Sequence, residues 1–306
     1  MRSTSSSAAM TTETRSHRGG SSKGSGALQV IRRAPGPAEA NPRRYYTRRR
    51  RLELTLGCVV PILFLVLWQV ASASNVINPQ FFPAPLSLWS TMISMIQSGQ
   101  LQTNLWASME RVLLGFPLGV ITGVAAGLAL GMSRTIRAAL DPLLVALYVV
   151  PKLALLPLLL LIFGTGDLPL VLLIAMTVFF FMWISTMAAI LSVEEAYQEA
   201  ARSFGANRRQ LFRHVLFPAS LPQIFSGLRL SAGTAILVVV GIEFVEGTKG
   251  IGVLIWNSWT LFLAKPMYVG IVTVAVVGVV FTRIIDLIGR AVTPWAGHKD
   301  EPKGYY

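Results

Sequence analysis

The chain has 306 residues, of which 53% are hydrophobic and only 13% charged. A soluble globular domain carries about 25% charged residues, so this composition excludes an ordinary soluble domain and points to the membrane. The net charge of +13 would suggest nucleic acid in a soluble protein; here placement decides its meaning, because 12 of the 27 Lys and Arg fall in residues 1–54.

Residues 1–50 are rich in Ser, Gly, Arg and Pro and run into "RRYYTRRRR". Such a segment cannot bury enough apolar surface to fold, and no small-residue cleavage site follows the next apolar run. It reads as a disordered basic tail that sets topology. A transmembrane domain over 51–292 and a short tail over 293–306 complete the expected organisation.

A helix crossing the hydrocarbon core needs about 20 apolar residues. Six segments qualify: 54–74, 112–131, about 138 to 163, 168–192, 219–243 and 266–289. The third contains Asp141 and Lys152, the fifth Arg229, and the sixth Arg283 and Asp286. Between spans one and two, a Pro-rich bend leads to an amphipathic helix with Trp89, Met92, Ile93 and Ile96 on one side. "GTGD" (164–167) is a tight turn. After span five, a Gly-rich turn precedes an interfacial helix bearing Trp256 and Trp259, because tryptophan favours that depth. In span two, Gly115, Gly119, Gly123, Gly127 and Gly131 form a small-residue stripe suited to close packing within the subunit.

Placing the N-terminus inside puts 22 Lys and Arg on the inner side and 3 (Arg111, Lys249, Lys265) on the outer side, with Lys152 and Arg229 within spans. The positive-inside bias then makes both termini cytoplasmic. One cysteine, Cys58, permits neither an internal disulfide nor a cysteine metal site, and the three histidines are scattered. No metal site is expected, and there is no G-x-x-x-x-G-K-[ST] phosphate loop.

The polar stretch "EEAYQEAARSFGANRRQLFRHVLFPASLP" (194–222) interrupts the apolar runs on the inner side. Ser192 and Glu195 predict a capping box, Gly205 a left-handed stop, Asn207 a second cap and Pro218 the end of a second short helix. Three readings apply. A DNA-binding helix-turn-helix is disfavoured, since a unit held at the lipid surface could not seat in a major groove. A solvated loop explains the arginines but neither the paired caps nor Ala200, Ala201 and Ala206. A docking knob for a cytoplasmic protein explains both, so no nucleic-acid partner is expected.

The same stretch resembles the E-A-A-x3-G-x9-I-x-L-P signature of bacterial ABC importer permeases. Glu199, Ala200, Ala201, Gly205 and Pro218 match, while Val215 and Phe217 replace Ile and Leu. "FPAPLSLWS", "SMERVLLGFPLGV", "DPLLVALYVVPKLALLPLLLLIFGTGD" and "EGTKGIGVLI" are similar to the nitrate/sulfonate/taurine branch. The resemblance implies an all-α polytopic membrane protein of six transmembrane helices with the MetI-like type I importer permease fold, in the bacterial inner membrane. It implies coupling helices at about 193–217 seated on a cytoplasmic ABC ATPase dimer, which binds ATP and Mg while this chain holds no cofactor and is not an enzyme. An extracytoplasmic binding protein and a second permease copy are the other implied partners, beside membrane lipid.

Lys152, between Pro151 and Pro157, and Arg229 appear at similar depth and offer an attractive path for a small anion; with Glu243 they are the candidate path residues. Charges there usually face protein or water. A secondary transporter or channel working alone is the alternative class, and a membrane-tethered regulator would need DNA binding by residues 192–218.

Overall fold

The computed structural model describes residues 42–296, with side chains from Thr55 onward except Cys58. Expectations for residues 1–41 and 297–306 lie outside that range. The chain divides by packing into residues 1–61 and 62–306; in the first, the described part is helical from Pro42, and the packing below belongs to the second.

All regular structure among the described residues is helical: α1 Pro42–Ala73, α2 Pro85–Gln97, α3 Gln100–Met132, α4 Arg134–Val149, a 3-10 turn Lys152–Leu155, α5 Leu156–Phe163, α6 Asp167–Leu191, α7 Glu195–Ser203, α8 Arg208–Leu211, α9 Phe217–Val245, α10 Ile251–Thr260 and α11 Ala264–Val292. α1 begins inside the basic segment expected to be disordered. Five stretches are long and apolar enough to cross a membrane, and α4 with α5 makes a sixth, bent by 89° at its break.

The core is α3 against α6, with α9 packed against both. The glycine stripe explains the first contact. A methyl group at Gly115 would lie 2.7 Å from the Val171 carbonyl oxygen, one at Gly123 2.6 Å from that of Phe179, and one at Gly127 2.8 Å from that of Trp183. Small residues bring the two backbones this close, as in membrane helix pairs generally, and the stripe packs within the subunit as expected. Both series ascend together, so α3 and α6 are parallel. The segment between them, α4 to α5, must therefore carry the chain back across, which makes the broken pair one span.

Three features differ from expectation. Span two starts at Gln100, three turns before Val112, because polar Gln102, Asn104 and Glu110 interrupt the apolar run without stopping the helix. Arg111 is consequently an interior residue of α3 and not a loop cation at its edge. Span three is not one helix: Pro151 has no N–H to donate, and the chain turns there. α2 buries Leu88 and Met95, with Met92 packed beside them, and leaves Trp89, Ile93 and Ile96 exposed. The apolar side expected to be one face is thus divided between protein and surroundings. α10 buries Ile251 through Ile255, and its Trp256 and Trp259 rings stand 4.9 Å apart, facing one way.

Candidate functional site

The polar interruption folds as two capped pieces around a glycine. α7 is rich in Ala and Glu and stops where Gly205 takes φ +80°. The Gly205 N–H donates to Arg202 and the Ala206 N–H to Ala201, closing the helix end in a Schellman arrangement. Any residue with a Cβ is strained at that φ. The Asn207 side chain then accepts from the Gln210 N–H while Gln210 accepts from the Asn207 N–H, a reciprocal box that starts α8. One end of the turn is therefore pinned by backbone–backbone hydrogen bonds and the other by side-chain–backbone ones.

Two details of the expected turn change. Ser192 does not cap α7; it ends α6, and its hydroxyl donates to Ala189 O and at 2.7 Å to Gln223 Oε1 on α9. Pro218 does not end a helix. The chain runs from Arg208 to Val245 as one rod, with a π turn at Phe212–Leu216 in which the Phe217 N–H reaches the Phe212 carbonyl. A proline cannot donate to the carbonyl four residues earlier, and the wider turn accommodates the missing bond.

Of the predicted coupling residues, Glu199, Ala200 and Gly205 are exposed, and Ala201, Val215 and Pro218 half-buried. Phe204, at the tip beside Gly205, is 94% exposed, and Tyr197 is 60% exposed. An aromatic so bare, on a turn held by local hydrogen bonds, is the kind of exposed apolar group that marks interaction sites.

At the opposite end of the bundle lies a buried ionic knot. Arg111 pairs with Asp167 at the start of α6 (2.7 Å) and with Glu243 near the end of α9, and donates to the Lys249 carbonyl at 2.7 Å. Glu243 also accepts from Ser108 at 2.8 Å and from the Gly252 N–H at 2.8 Å, while the Ile251 N–H donates to Ser108. Arg111 and Glu243 are 4% and 2% exposed. Gly250, with φ +144°, lies where any Cβ would strike the Glu243 carboxylate, so glycine alone lets the loop close over the pair. Four segments are tied at one point.

Lys152 caps the break in span three. Its ammonium donates to the Leu147, Tyr148 and Val150 carbonyls, freed where the helix ends, and stands 4.5 Å from the Phe180 ring centre and 4.9 Å from that of Tyr148. Lys152 and Arg229 are not at similar depth. Leu153 packs against Gly241 of α9, and Arg229 lies twelve residues earlier, about 18 Å along the helix. Arg229 is paired instead with Asp286 of α11 at 3.3 Å, across a cleft of about 340 Å³ that Arg290 also lines. The three candidate path residues thus occupy three separate places: Lys152 at a helix break, Glu243 in the knot and Arg229 between α9 and α11. Among the described residues no cluster of side chains suits a metal.

Residues 115–294 match the family described as binding-protein-dependent transport system inner membrane component. The chain belongs to this family. The permease is 31% identical over 253 residues to the taurine transport system permease of Escherichia coli (strain K12), covering 81% of this chain and 91% of that one. It is 32% identical over 267 residues to the aliphatic sulfonates transport permease assigned in Bacillus subtilis (strain 168), covering 87% and 92%. A nitrate import permease of Synechocystis is 28% identical over 241 residues, covering 76% and 86%. In fold it is similar to an inward-facing methionine ABC transporter chain, with a TM-score of 0.57 at 19% identity, over 65% of this chain and 98% of that one. The permease is therefore a multi-pass inner-membrane transport subunit, and not an enzyme.

Two features of this permease were not expected from the sequence. Phe204 was visible inside "EAARSFG", and an aromatic beside a helix-stopping glycine was the available signal. The knot had no signal of comparable strength. Ser108 and Arg111 share a face three residues apart, but nothing local connects them to Glu243.

Proposed function

We propose that the permease forms the path for a small anion in an ATP-driven importer, with both termini cytoplasmic, and that the turn of α7 and α8 receives the stroke of an ABC ATPase pair. Glu199, Ala200, Ala201, Gly205, Val215 and Pro218 form the docking surface, and Phe204 is its apolar tip. The supporting observation is the bare Phe204 on a doubly capped turn that runs on, by way of a π turn, into a transmembrane helix. A push on such a turn is delivered into α9 through the π turn at Phe212–Leu216.

The anion class is supported by relatives that are named for taurine, sulfonates and nitrate, all small anions under physiological conditions or bearing an anionic group. Lys152 is the cation that this reading places beside the path, at a break in the helix whose outer face is exposed; Arg229 attracts from the cytoplasmic side, and Glu243 holds the wall. A binding protein outside and a second copy of this chain complete the assembly.

Gly205→Arg, which cannot hold φ +80° cheaply, and Glu199→Lys leave membrane insertion intact and abolish coupled uptake. Uptake by right-side-out vesicles and co-purification of the ATPase measure both. Uptake that persists without any ATPase would exclude this reading.

A further inference from the structure

We propose that the permease carries a binding site for a phosphate-bearing anion, supplied by a phospholipid headgroup, in the cavity between the α3–α4 turn and the coupling helices. The cavity measures about 720 Å³ and is lined by Arg134, Arg137, Arg202 and Arg208. Among the described residues, none of these four guanidiniums has a carboxylate within 4 Å or a hydrogen-bond acceptor. One carboxylate, Glu195, also lines it, so four cations face one acid. Guanidinium planes offer paired donors that match phosphate oxygens.

Depth selects a lipid. α6 starts at Asp167 beside the ionic knot, and a core about 30 Å thick takes about 20 residues of helix to cross. Ile190 and Val193, which line the cavity, then lie about 5–10 Å beyond the hydrocarbon, within the headgroup layer. Ile190, Val193 and Leu211 are buried and give the cavity an apolar floor beneath its cationic rim. That combination suits a phosphodiester with glycerol and chain attached better than a fully hydrated ion. Basic pockets between helices on the cytoplasmic side take such headgroups. The inner leaflet as source rests on the orientation proposed above; the site itself does not.

The occupant would join the α3–α4 turn to α7 and α8. Phe204, the docking tip, does not line the cavity, so lipid and ATPase do not compete for one surface.

The test uses the assembled transporter in nanodiscs of phosphatidylglycerol or phosphatidylcholine, with lipid retention read by native mass spectrometry and Tm by thermal unfolding. Phosphatidylglycerol is retained and raises Tm, and each of Arg134→Gln and Arg137→Gln lowers its retention about fivefold. Arg283→Gln, an equal charge loss outside the cavity, leaves retention unchanged. Inorganic phosphate added to phosphatidylcholine discs distinguishes the source: a full Tm rise, lost in Arg137→Gln, keeps the anion site but overturns the lipid as its occupant. Equal behaviour in both lipids without a phosphate effect overturns the site. If that result comes with release of the ATPase from the arginine variants, the four arginines belong to the protein interface instead. Because none of these readings measures uptake, they stand or fall separately from the transport proposal.

Discussion

Arg111 shows how one side chain can hold a membrane bundle together. A buried charge is tolerated when its partners complete its hydrogen bonds, and removing one partner of such a pair costs about 3–5 kcal/mol. Arg111→Met would leave the Glu243 carboxyl buried without its cation and held only by Ser108 and Gly252. We expect a large fall in Tm of the solubilised permease and in its yield. Glu243→Gln should lose less, because its amide oxygen still accepts from Gly252 while Asp167 still holds Arg111. Equal losses in the two variants would show that the knot is not what stabilises this end. Lys152 poses a different residue-scale question. Lys152→Met frees the carbonyls of Leu147, Tyr148 and Val150 and removes the cation. Anion uptake should fall severalfold with ATPase binding retained, and normal uptake would remove Lys152 from the path.

At the scale of elements, the α3–α6 contact is a backbone contact, and its tolerance differs from that of other apolar surfaces in the same chain. A Cβ at Gly119 collides with the Ala175 carbonyl and lies 2.7 Å from Val178 Cβ, whereas one at Gly233 meets nothing within 4 Å. Gly119→Ala should force the helices apart at about 1–3 kcal/mol, the usual cost of overpacking. Gly233→Ala should be neutral or slightly stabilising, since alanine is the better helix former. Accumulation in the membrane and Tm compare the two, and similar behaviour would mean that the parallel contact is looser than drawn. The coupling turn obeys the opposite economy, with almost nothing packed around it and its shape held by local bonds at Gly205, Asn207 and Gln210.

For the whole molecule, the rod from Arg208 to Val245 spans 38 residues, about 57 Å of helix against a hydrocarbon core of about 30 Å. The surplus lies at the Arg208 end, which shares a cavity with Ile190 and Val193 at the headgroup layer, so the coupling turn stands at the lipid surface, open to a partner. Topology is testable in a Cys58→Ser background. Thr248→Cys, exposed in the Gly-rich turn after α9, should react with a membrane-impermeant maleimide on intact cells. Ser203→Cys should react only after lysis. The reverse pattern would invert the orientation and end the coupling proposal.

Hydropathy and capping are local quantities, so spans four to six, the stop at Gly205 and the cap at Asn207 could be read from residues a few positions apart. Asp167–Leu191 differs from its expected bounds by one residue at each end, because an uncharged apolar run and its caps determine a helix by themselves. The ionic knot joins Arg111 to Glu243 across 132 positions, the glycine stripe found its partner on α6, and four arginines from three separate segments came to line one cavity. Those pairings depend on which helices lie side by side and in which direction. That is settled by the packing of the completed bundle, where each contact is possible only once the others have formed.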